Sequence, residues 1–471
     1  MKKKCQVFTP NDYVEKLLDS VGYTINLYGR KILENSCGDG NILLVVVKRY
    51  LEDCKRKRFS RKKIIFGLQN DIYGVELDAE QYKKCISRLN ELLCFYGIEP
   101  LNWNITNEDY LRKEDNRLYD YIVGNPPYVT YNDINKVDRG FLKDNFDSCN
   151  KGKFDYCYAF VEKGIKSLAQ GGKLAYLIPS SIFKTVYGNK LREIIQSHIS
   201  QIVDFTQEKM FDKALVKSAI MVFDKDYNEG EINYVNSGVG INLVLDKNKL
   251  GKKWFFDTGN MRGSQRFGDY FRVSHVVATL LNKAFVLKEG EYIETEEYFE
   301  SNNHLIEKAV VKSTATPRTK RYKKQEKIIF PYYFDNSTLK RYTEAEFEKY
   351  YPGATAYLKE FRKELDSRQS DNNAKWFEYG RSQALSNMNN EKLLISTVVT
   401  DTIESYLLEE SCVPYAGMYI IIKNGQTKYS LDKAKEILCS ARFYQYVKTV
   451  GIHISGSSLR ITSKDIEDYL F

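Results

Sequence analysis

Lys31-Ile-Leu-Glu-Asn-Ser-Cys-Gly-Asp-Gly-Asn-Ile-Leu-Leu-Val-Val-Val47 passes from a short apolar run, through two glycines, into a longer apolar stretch. The reading is a strand, a tight turn at Asn35-Ser-Cys-Gly-Asp-Gly40 and the start of a helix, which is the first half of a βαβ unit. Gly38 and Gly40 let a ligand approach the backbone, and the helix N-terminus beyond them offers free N–H groups. Taken singly, the same turn is also a plain loop.

Working outward, short apolar runs alternate with helix-length amphipathic stretches as far as residue 223. Strands are expected at 31–35, 72–76, 101–104, 119–124, 173–179, 201–204 and 219–223. The pattern predicts an α/β, doubly wound, mostly parallel seven-stranded sheet, whose ligands lie beyond the carboxyl ends of the strands. The second strand ends in Tyr73-Gly-Val-Glu-Leu-Asp78, which leaves Glu76 where a carboxylate can accept from both hydroxyls of a ribose. After the third strand comes Asn107-Glu-Asp-Tyr110. There Asp109 can accept from an adenine amino group and Tyr110 can pack on its face. Each acid alone reads as a solvated surface group, but the glycine turn and two acids in this order point to an adenosine cofactor. Ahead of the first strand, Val7-Phe-Thr-Pro10 opens a helix with Thr9 as N-cap, Pro10 at N1 and Asp12 at N3, and capping is a sufficient account of those residues.

The fourth strand runs into Tyr121-Ile-Val-Gly-Asn-Pro-Pro-Tyr-Val129. Neither Pro126 nor Pro127 has an N–H for a sheet ladder, so pairing stops at Asn125 and its carboxamide and the nearby carbonyls can face a ligand. An amino nitrogen conjugated with an aromatic ring is a poor nucleophile. Two acceptors pulling on its hydrogens would turn its lone pair toward an incoming methyl, while Tyr128 stacks on the ring.

Composition narrows the class. The 471 residues are 43% hydrophobic and 28% charged, which suits a globular chain of two domains. Seventy-one Lys and Arg against 62 Asp and Glu give +9, a balance that favours a polyanionic partner. The nine cysteines have no paired Cys-x-x-Cys spacing and the four histidines are scattered, so neither a disulfide or zinc framework nor a histidine-based site is expected, and no metal. No run of eighteen apolar residues occurs and Met-Lys-Lys-Lys-Cys-Gln lacks the apolar core of a signal peptide. A cytoplasmic protein without a membrane partner is expected.

Phe8-Thr-Pro10, Glu34-Asn-Ser-Cys-Gly-Asp-Gly40, Gly74-Val-Glu-Leu-Asp78, Glu108-Asp-Tyr-Leu111 and Asn125-Pro-Pro-Tyr128, in this order, resemble the motifs of γ-class, TaqI-like N6-adenine DNA methyltransferases of the type II restriction-modification family. Lys153-Phe-Asp-Tyr156, the helix to Gln170, Gly171-Gly172, the strand to Pro179 and Met210-Phe-Asp-Lys-Ala-Leu-Val-Lys-Ser-Ala-Ile220 also match. The resemblance implies S-adenosylmethionine as methyl donor, in a class I methyltransferase fold. Thr9, Glu34, Ser36, Glu76, Asp109 and Tyr110 fall on the family's cofactor positions, with Cys37, Gly38 and Gly40 in the cofactor turn. It makes Asn125 and the Pro126 carbonyl the holders of N6, followed by Pro127. It places Tyr128 on one face of an extruded adenine and Phe211 on the other. Asn35 departs from a frequent proline, and Asp39 from a small residue between the glycines. The basic run Lys55-Arg-Lys-Arg58 with Arg61-Lys-Lys63 matches no motif and reads as a solvated face.

After Asp226 the βα alternation gives way to a lysine-, tyrosine- and asparagine-rich pattern. The expected division is a catalytic domain at 1–230 and an α+β domain at 231–471, which in the family recognises the target sequence. Lys312-Ser-Thr-Ala-Thr-Pro-Arg-Thr-Lys-Arg-Tyr-Lys-Lys324, followed by Phe330-Pro-Tyr-Tyr-Phe334, looks like a phosphate-tracking loop, with Lys312, Arg318, Lys320, Arg321, Lys323 and Lys324 as contacts. In Trp376-Phe-Glu-Tyr-Gly-Arg-Ser-Gln383, Arg381 and Gln383 can read guanine and adenine edges, though Arg381 equally suits an ion pair. Near the end, Ser457, Ser458 and Arg460 are further phosphate contacts. The expected partner is double-stranded DNA, and the chain is expected to act as a monomer, either as a solitary methylase or as the modification enzyme of a system whose restriction is left to a separate cognate endonuclease. A methyltransferase acting on RNA adenine or a protein glutamine is the alternative. A non-catalytic DNA-binding specificity subunit would need a damaged Asn-Pro-Pro-Tyr or glycine turn, and neither is damaged.

Overall fold

Ile32–Glu34 (β1), fully buried, pairs in parallel with Ile72–Glu76 (β2) on one side and Tyr119–Gly124 (β4) on the other. In the computed structural model, which describes residues 9–205, 217–236, 238, 240–256, 263–455 and 457–471, the chain divides into units Met1–Thr258 and Gly259–Phe471. Adding Asn104–Asn107 (β3), Leu168–Pro179 (β5), Ile199–Asp204 (β6) and Ser218–Asp224 (β7) gives the order β3-β2-β1-β4-β5-β7-β6, with β7 antiparallel to both neighbours. This is the doubly wound sheet expected. Consecutive strand residues face opposite cores, as the pleat requires: Ile32 and Val123 on one side, Leu33 and Ile122 on the other.

Among the described residues seven α-helices flank the sheet: Asn11–Ser20 (α1), Asn41–Arg56 (α2), Arg61–Asp71 (α3), Ala79–Phe95 (α4), Lys136–Asn145 (α5), Cys157–Lys166 (α6) and Asn189–Ile195 (α7). α1 starts later than expected. Pro10 is its N-cap, so Thr9 lies outside the helix and Asp12 is at its second position. The third strand is displaced by three residues, because Leu101 N–H and Trp103 Nε1 both donate to Asn90 Oδ1 on α4 and hold 101–103 off the sheet. The helix expected to reach Gln170 stops at Lys166, and residues 168–172 already belong to β5.

The division at 230/231 is corrected. Glu231–Asn236 (β8) pairs in parallel with β6, and Ile241–Asp246 (β9) closes a hairpin on it, so the sheet has nine strands among the described residues. Tyr234 explains the addition: its hydroxyl donates to Asp204 at 2.7 Å and its ring stacks on Phe256 at 4.4 Å. Trp254 is 1% exposed, stacks on Phe183 and donates its backbone N–H to the Phe183 carbonyl at 2.8 Å. Alternation at 231–246 thus belongs to the first sheet.

The second unit is α+β. Phe271–His275, Met418–Ile422, Lys392–Ile395 and Ser405–Leu408 make an antiparallel sheet whose core includes residues of helices Leu431–Leu438 and Ala441–Val450. A further core gathers Phe330, Tyr332, Phe347, Phe377 and Tyr379. Most of Phe330-Pro-Tyr-Tyr-Phe334 is therefore packing surface, and only Tyr333 is exposed. Among the described residues no helix is long and apolar enough to cross a membrane, and no cluster of His, Cys, Asp and Glu is placed to hold a metal ion.

Trp254→Ala removes the largest side chain that ties residues beyond 230 to the first unit. Its expected cost is about 3–5 kcal/mol in urea unfolding; a cost near zero would restore the earlier boundary.

Candidate active site

At the carboxyl ends of β1, β2 and β4 lies a cavity of about 510 Å³. Its position follows from three loops that leave the sheet side by side. After β1 the chain turns through Gly38 (φ 51°) and Gly40 (φ 89°), conformations that L side chains rarely adopt. A Cβ on Gly40 would also stand 2.8 Å from Cys85 Sγ on α4. Gly40 is the N-cap of α2 and the turn closes with Gly40 N–H donating to the Cys37 carbonyl at 2.8 Å.

Glu76 locks this turn to the next strand. One carboxylate oxygen accepts from Gly38 N–H at 2.7 Å and the other from Asp78 N–H at 2.8 Å. Asp78 in turn caps α4 by accepting from Glu80 and Gln81 N–H. Asp109, past β3, accepts from Leu111 N–H at 2.9 Å and pairs with Arg112 at 3.3 Å. Tyr110 is buried against Phe160 of α6, with ring centroids 5.4 Å apart.

β4 ends where its prolines require. Asn125 donates from Nδ2 to Thr9 Oγ1 at 3.1 Å, so the residue expected as a helix cap is instead a wall of the cavity that orients the Asn125 carboxamide. Ser36 Oγ reaches the Asn125 carbonyl at 3.4 Å. Tyr128 is tethered through its hydroxyl to the Leu177 carbonyl on β5 at 2.9 Å, which holds the ring beside Pro127.

Twelve of the expected cofactor and catalytic residues line this one cavity: Thr9, Glu34, Ser36, Cys37, Gly38, Glu76, Asp109, Tyr110, Asn125, Pro126, Pro127 and Tyr128. Gly40 stands just behind it. Phe211 lies outside the described residues. Sequence reading missed Gln81, Phe160 and the lining role of Tyr156; the i, i+4 spacing of Tyr156 and Phe160 at the start of α6 was the available signal.

The electrostatics of the cavity are one-sided. Glu34, Asp39, Glu76, Asp78, Glu80, Glu108 and Asp109 line it, and no Lys, Arg or His does among the described residues. Burial pushes the Glu34 carboxyl well above the usual carboxylate range. Glu34 Oε2, Asn35 Oδ1, Asp39 Oδ1 and Gln81 Oε1 are buried acceptors without a hydrogen-bond partner among the described residues. Unmet acceptors amid carboxylates suit a cationic ligand with several donors and disfavour a dinucleotide pyrophosphate. S-adenosylmethionine, with a sulfonium, an ammonium, ribose hydroxyls and an adenine amino group, has that chemistry.

The comparisons match this geometry. Residues 30–211 fit the family model for the Eco57I restriction-modification methylase. The match lies within the first unit and covers less than half of the chain. Curated relatives of this chain include the type II methyltransferase M.BstVI of Geobacillus stearothermophilus, 28% identical over 253 residues, covering 50% of this chain and 44% of that one. The type II restriction enzyme and methyltransferase RM.Eco57I of Escherichia coli is 23% identical, covering 88% of this chain and 51% of the relative. The chain thus spans about half the length of the curated relatives it matches. The fold of the type IIL restriction-modification enzyme MmeI covers 98% of this chain and 65% of that one, with a TM-score of 0.60 at 14% identity.

In the second unit, the expected phosphate-tracking loop is ordered differently. Lys312 is half-buried on the strand Val311–Thr314, and Arg318, Lys320 and Arg321 project from a short helix, Pro317–Arg321, closed by a Thr316–Thr319 capping box. Lys323 and Lys324 follow, exposed. Arg321 pairs with Glu404 at 3.3 Å, and Thr400 Oγ1 meets Ser458 Oγ at 3.1 Å, so the 400–404 segment touches both the basic helix and the turn bearing Ser457, Ser458 and Arg460. Arg381 is ion-paired with Asp371 at 3.0 Å, and Gln383 is exposed beside it.

Two outcomes follow from this geometry. Glu76→Gln leaves one of the two loop N–H groups facing an amide NH₂, at a cost of about 1–3 kcal/mol; hydrogen exchange at Gly38 or Asp78 should quicken, and unchanged protection would remove Glu76 from the clamp. Asp155, which accepts from Cys157 N–H beside the Asn-Pro-Pro-Tyr turn, is pushed up by burial to about 6. Folding therefore takes up a proton between about pH 4 and 6, and stability falls as pH rises through that window. Linkage sets the limit at about 3 kcal/mol, reduced by solvent screening. Asp155→Asn should flatten the pH dependence of unfolding there.

Proposed function

We propose that this chain transfers a methyl group from S-adenosylmethionine to N6 of an adenine extruded from double-stranded DNA. The observation that carries the proposal is the shared wall: the Asn125-Pro-Pro-Tyr128 turn opens into the same cavity as the acidic, acceptor-rich lining formed after β1, β2 and β3. The names of the relatives, type II methyltransferases and a restriction enzyme and methyltransferase, support the same reading.

In this proposal S-adenosylmethionine supplies an electrophilic methyl, and the protein supplies position. Glu76 is shared between the loop N–H groups and the ribose hydroxyls. Asp109 accepts from the cofactor's adenine amino group. Glu34 faces a cationic ligand that would restore the charge its burial disfavours. Asn125 and the Pro126 carbonyl accept from the target amine and turn its lone pair toward the methyl. Tyr128, held by Leu177, stacks on the target base. The methylated amine is acidic and sheds its proton without a dedicated general base. The second unit reads the target sequence through the basic helix with Lys312, Lys323 and Lys324, through Arg381 and Gln383, and through Ser457, Ser458 and Arg460. The proposal includes a monomer working with a separate cognate endonuclease.

The test is incubation with labelled S-adenosylmethionine and unmethylated duplex DNA, with duplex RNA and protein extract as parallel acceptors, followed by digestion to nucleosides. N6-methyladenine in DNA alone is expected. Label confined to RNA or protein would replace the substrate. Asn125→Ala is expected to lower transfer by at least 10³-fold, since it removes an acceptor used in the transition state, while DNA binding stays within a few-fold.

A further inference from the structure

The run Lys55-Arg-Lys-Arg58 and Arg61-Lys-Lys63 has no part in the cavity. All seven side chains are exposed at the junction of α2 and α3. α2 begins at the cavity with Asn41 and ends at Arg56. Fifteen helical rises put the run about 22 Å away, at the opposite end of the sheet.

Some of these cations have local work. Arg56 pairs with Asp53 at 2.7 Å, Lys57 donates to Asn26, Arg61 donates to the Gly97 carbonyl, and Lys63 sits 3.7 Å over the Phe59 ring. Among the described residues Lys55, Arg58 and Lys62 have no side-chain hydrogen bond or ion pair.

The backbone shows that Arg58 is not there for stability. α2 ends with Phe59 N–H donating to Cys54 O and Arg58 N–H to Lys55 O, a Schellman closure that needs a left-handed residue. α1 closes the same way on Gly22 (φ 74°), and α4 on Gly97 (φ 69°). Of these three helices only α2 puts a side chain there, with Arg58 at φ 53°, as the helix Pro317–Arg321 of the second unit does with Lys323 at φ 54°. That conformation is unfavourable for any L residue with a Cβ. Cations in the first turn of α3 also oppose the helix dipole. Two local penalties are accepted in one place, and both keep positive charge on the surface.

We propose that the α2–α3 junction binds the phosphate backbone of a second DNA segment, without sequence preference, while the cavity serves the first. Long, unpaired point charges on an exposed surface suit sequence-independent phosphate contact. A duplex engaged at the cavity reaches a surface about 22 Å behind it only by bending sharply, which is costly at this length scale, so the segment is a separate one. The choice of DNA over an acidic protein rests on the proposed substrate, since a polymer held at one face presents its own flanking duplex to the other at high local concentration.

The test uses the full chain and a triple variant, Lys55→Gln, Arg58→Gly and Lys62→Gln. Arg58→Gly supplies the residue the turn favours, so the thermal midpoint should not fall. With excess random-sequence 16-base-pair duplex at low salt, sedimentation should find two duplexes per wild-type chain and one per variant chain. The second event should show a log–log salt slope of about −2.7, as expected for three phosphates. Methyl transfer to genomic DNA fragments should stay within twofold in the variant. One duplex on both proteins, or two on both, would overturn the proposal. So would polyglutamate of matched charge that binds the wild type as tightly as duplex. A second duplex lost only in the variant supports the surface even where no methyl label is transferred, an outcome that would count against the methyltransferase reading alone.

Discussion

Seven carboxyl groups crowded into one cavity set the constraint around which the first unit is built, because like charges at close range must be neutralised, hydrogen-bonded or deprotonated at a cost. The chain answers mainly with backbone N–H groups. Glu76 takes two from the loops after β1 and β2, Asp78 takes two from the start of α4, and Asp109 takes one from the turn after β3. Cations enter from outside the lining: Arg88 pairs with Asp39 at 2.6 Å, and Lys113 with Glu108. Glu34, buried most deeply, has its carboxyl pushed well above the usual carboxylate range by that burial. The acids therefore fix the three loops that make the cavity, and the glycine turn holds its shape because Glu76 grips it from the neighbouring strand.

How much of this was legible beforehand depended on whether a residue acts locally. Gly38, Gly40, Pro126 and Pro127 carry their constraint in their own backbones, so the turn after β1 and the end of β4 could be read directly. Glu76 and Asp109 were found by their place after a strand, although their bonds to Gly38 and Leu111 N–H were not. For Thr9 only the cap reading failed: a Thr-Pro pair is a good helix start on local grounds, and its place at the cavity came from the resemblance alone, because its partner, Asn125, is 116 residues away. β8 and β9 were assigned to the wrong unit for the same reason: composition changes near residue 228, but Tyr234 and Trp254 are held by contacts with Asp204 and Phe183 that no window of sequence reveals.

The second unit was less legible. Its short strands pair antiparallel across long separations, and its aromatic runs read equally as core or as surface. Phe330 and Tyr332 went to the core, and Arg381 went to Asp371. The basic segment kept its exposure but not its expected form, because Thr316 and Thr319 close a reciprocal cap that turns residues 317–321 into a helix.

Charge is divided within the first unit along α2, acidic where the helix begins and basic where it ends. At the acidic end the division bears on turnover as well as binding. In the proposed reaction the cavity receives a ligand with a sulfonium and keeps, after transfer, a thioether. With an effective dielectric constant near 20, losing one unit charge about 7 Å from a carboxylate removes about 2 kcal/mol of attraction for each such neighbour, before screening. The carboxylates that capture the donor thus hold the spent cofactor less tightly. A neutral lining would lack that asymmetry, and a lining rich in lysine would reverse it, which gives the cavity's lack of cations among the described residues a kinetic meaning as well as an electrostatic one.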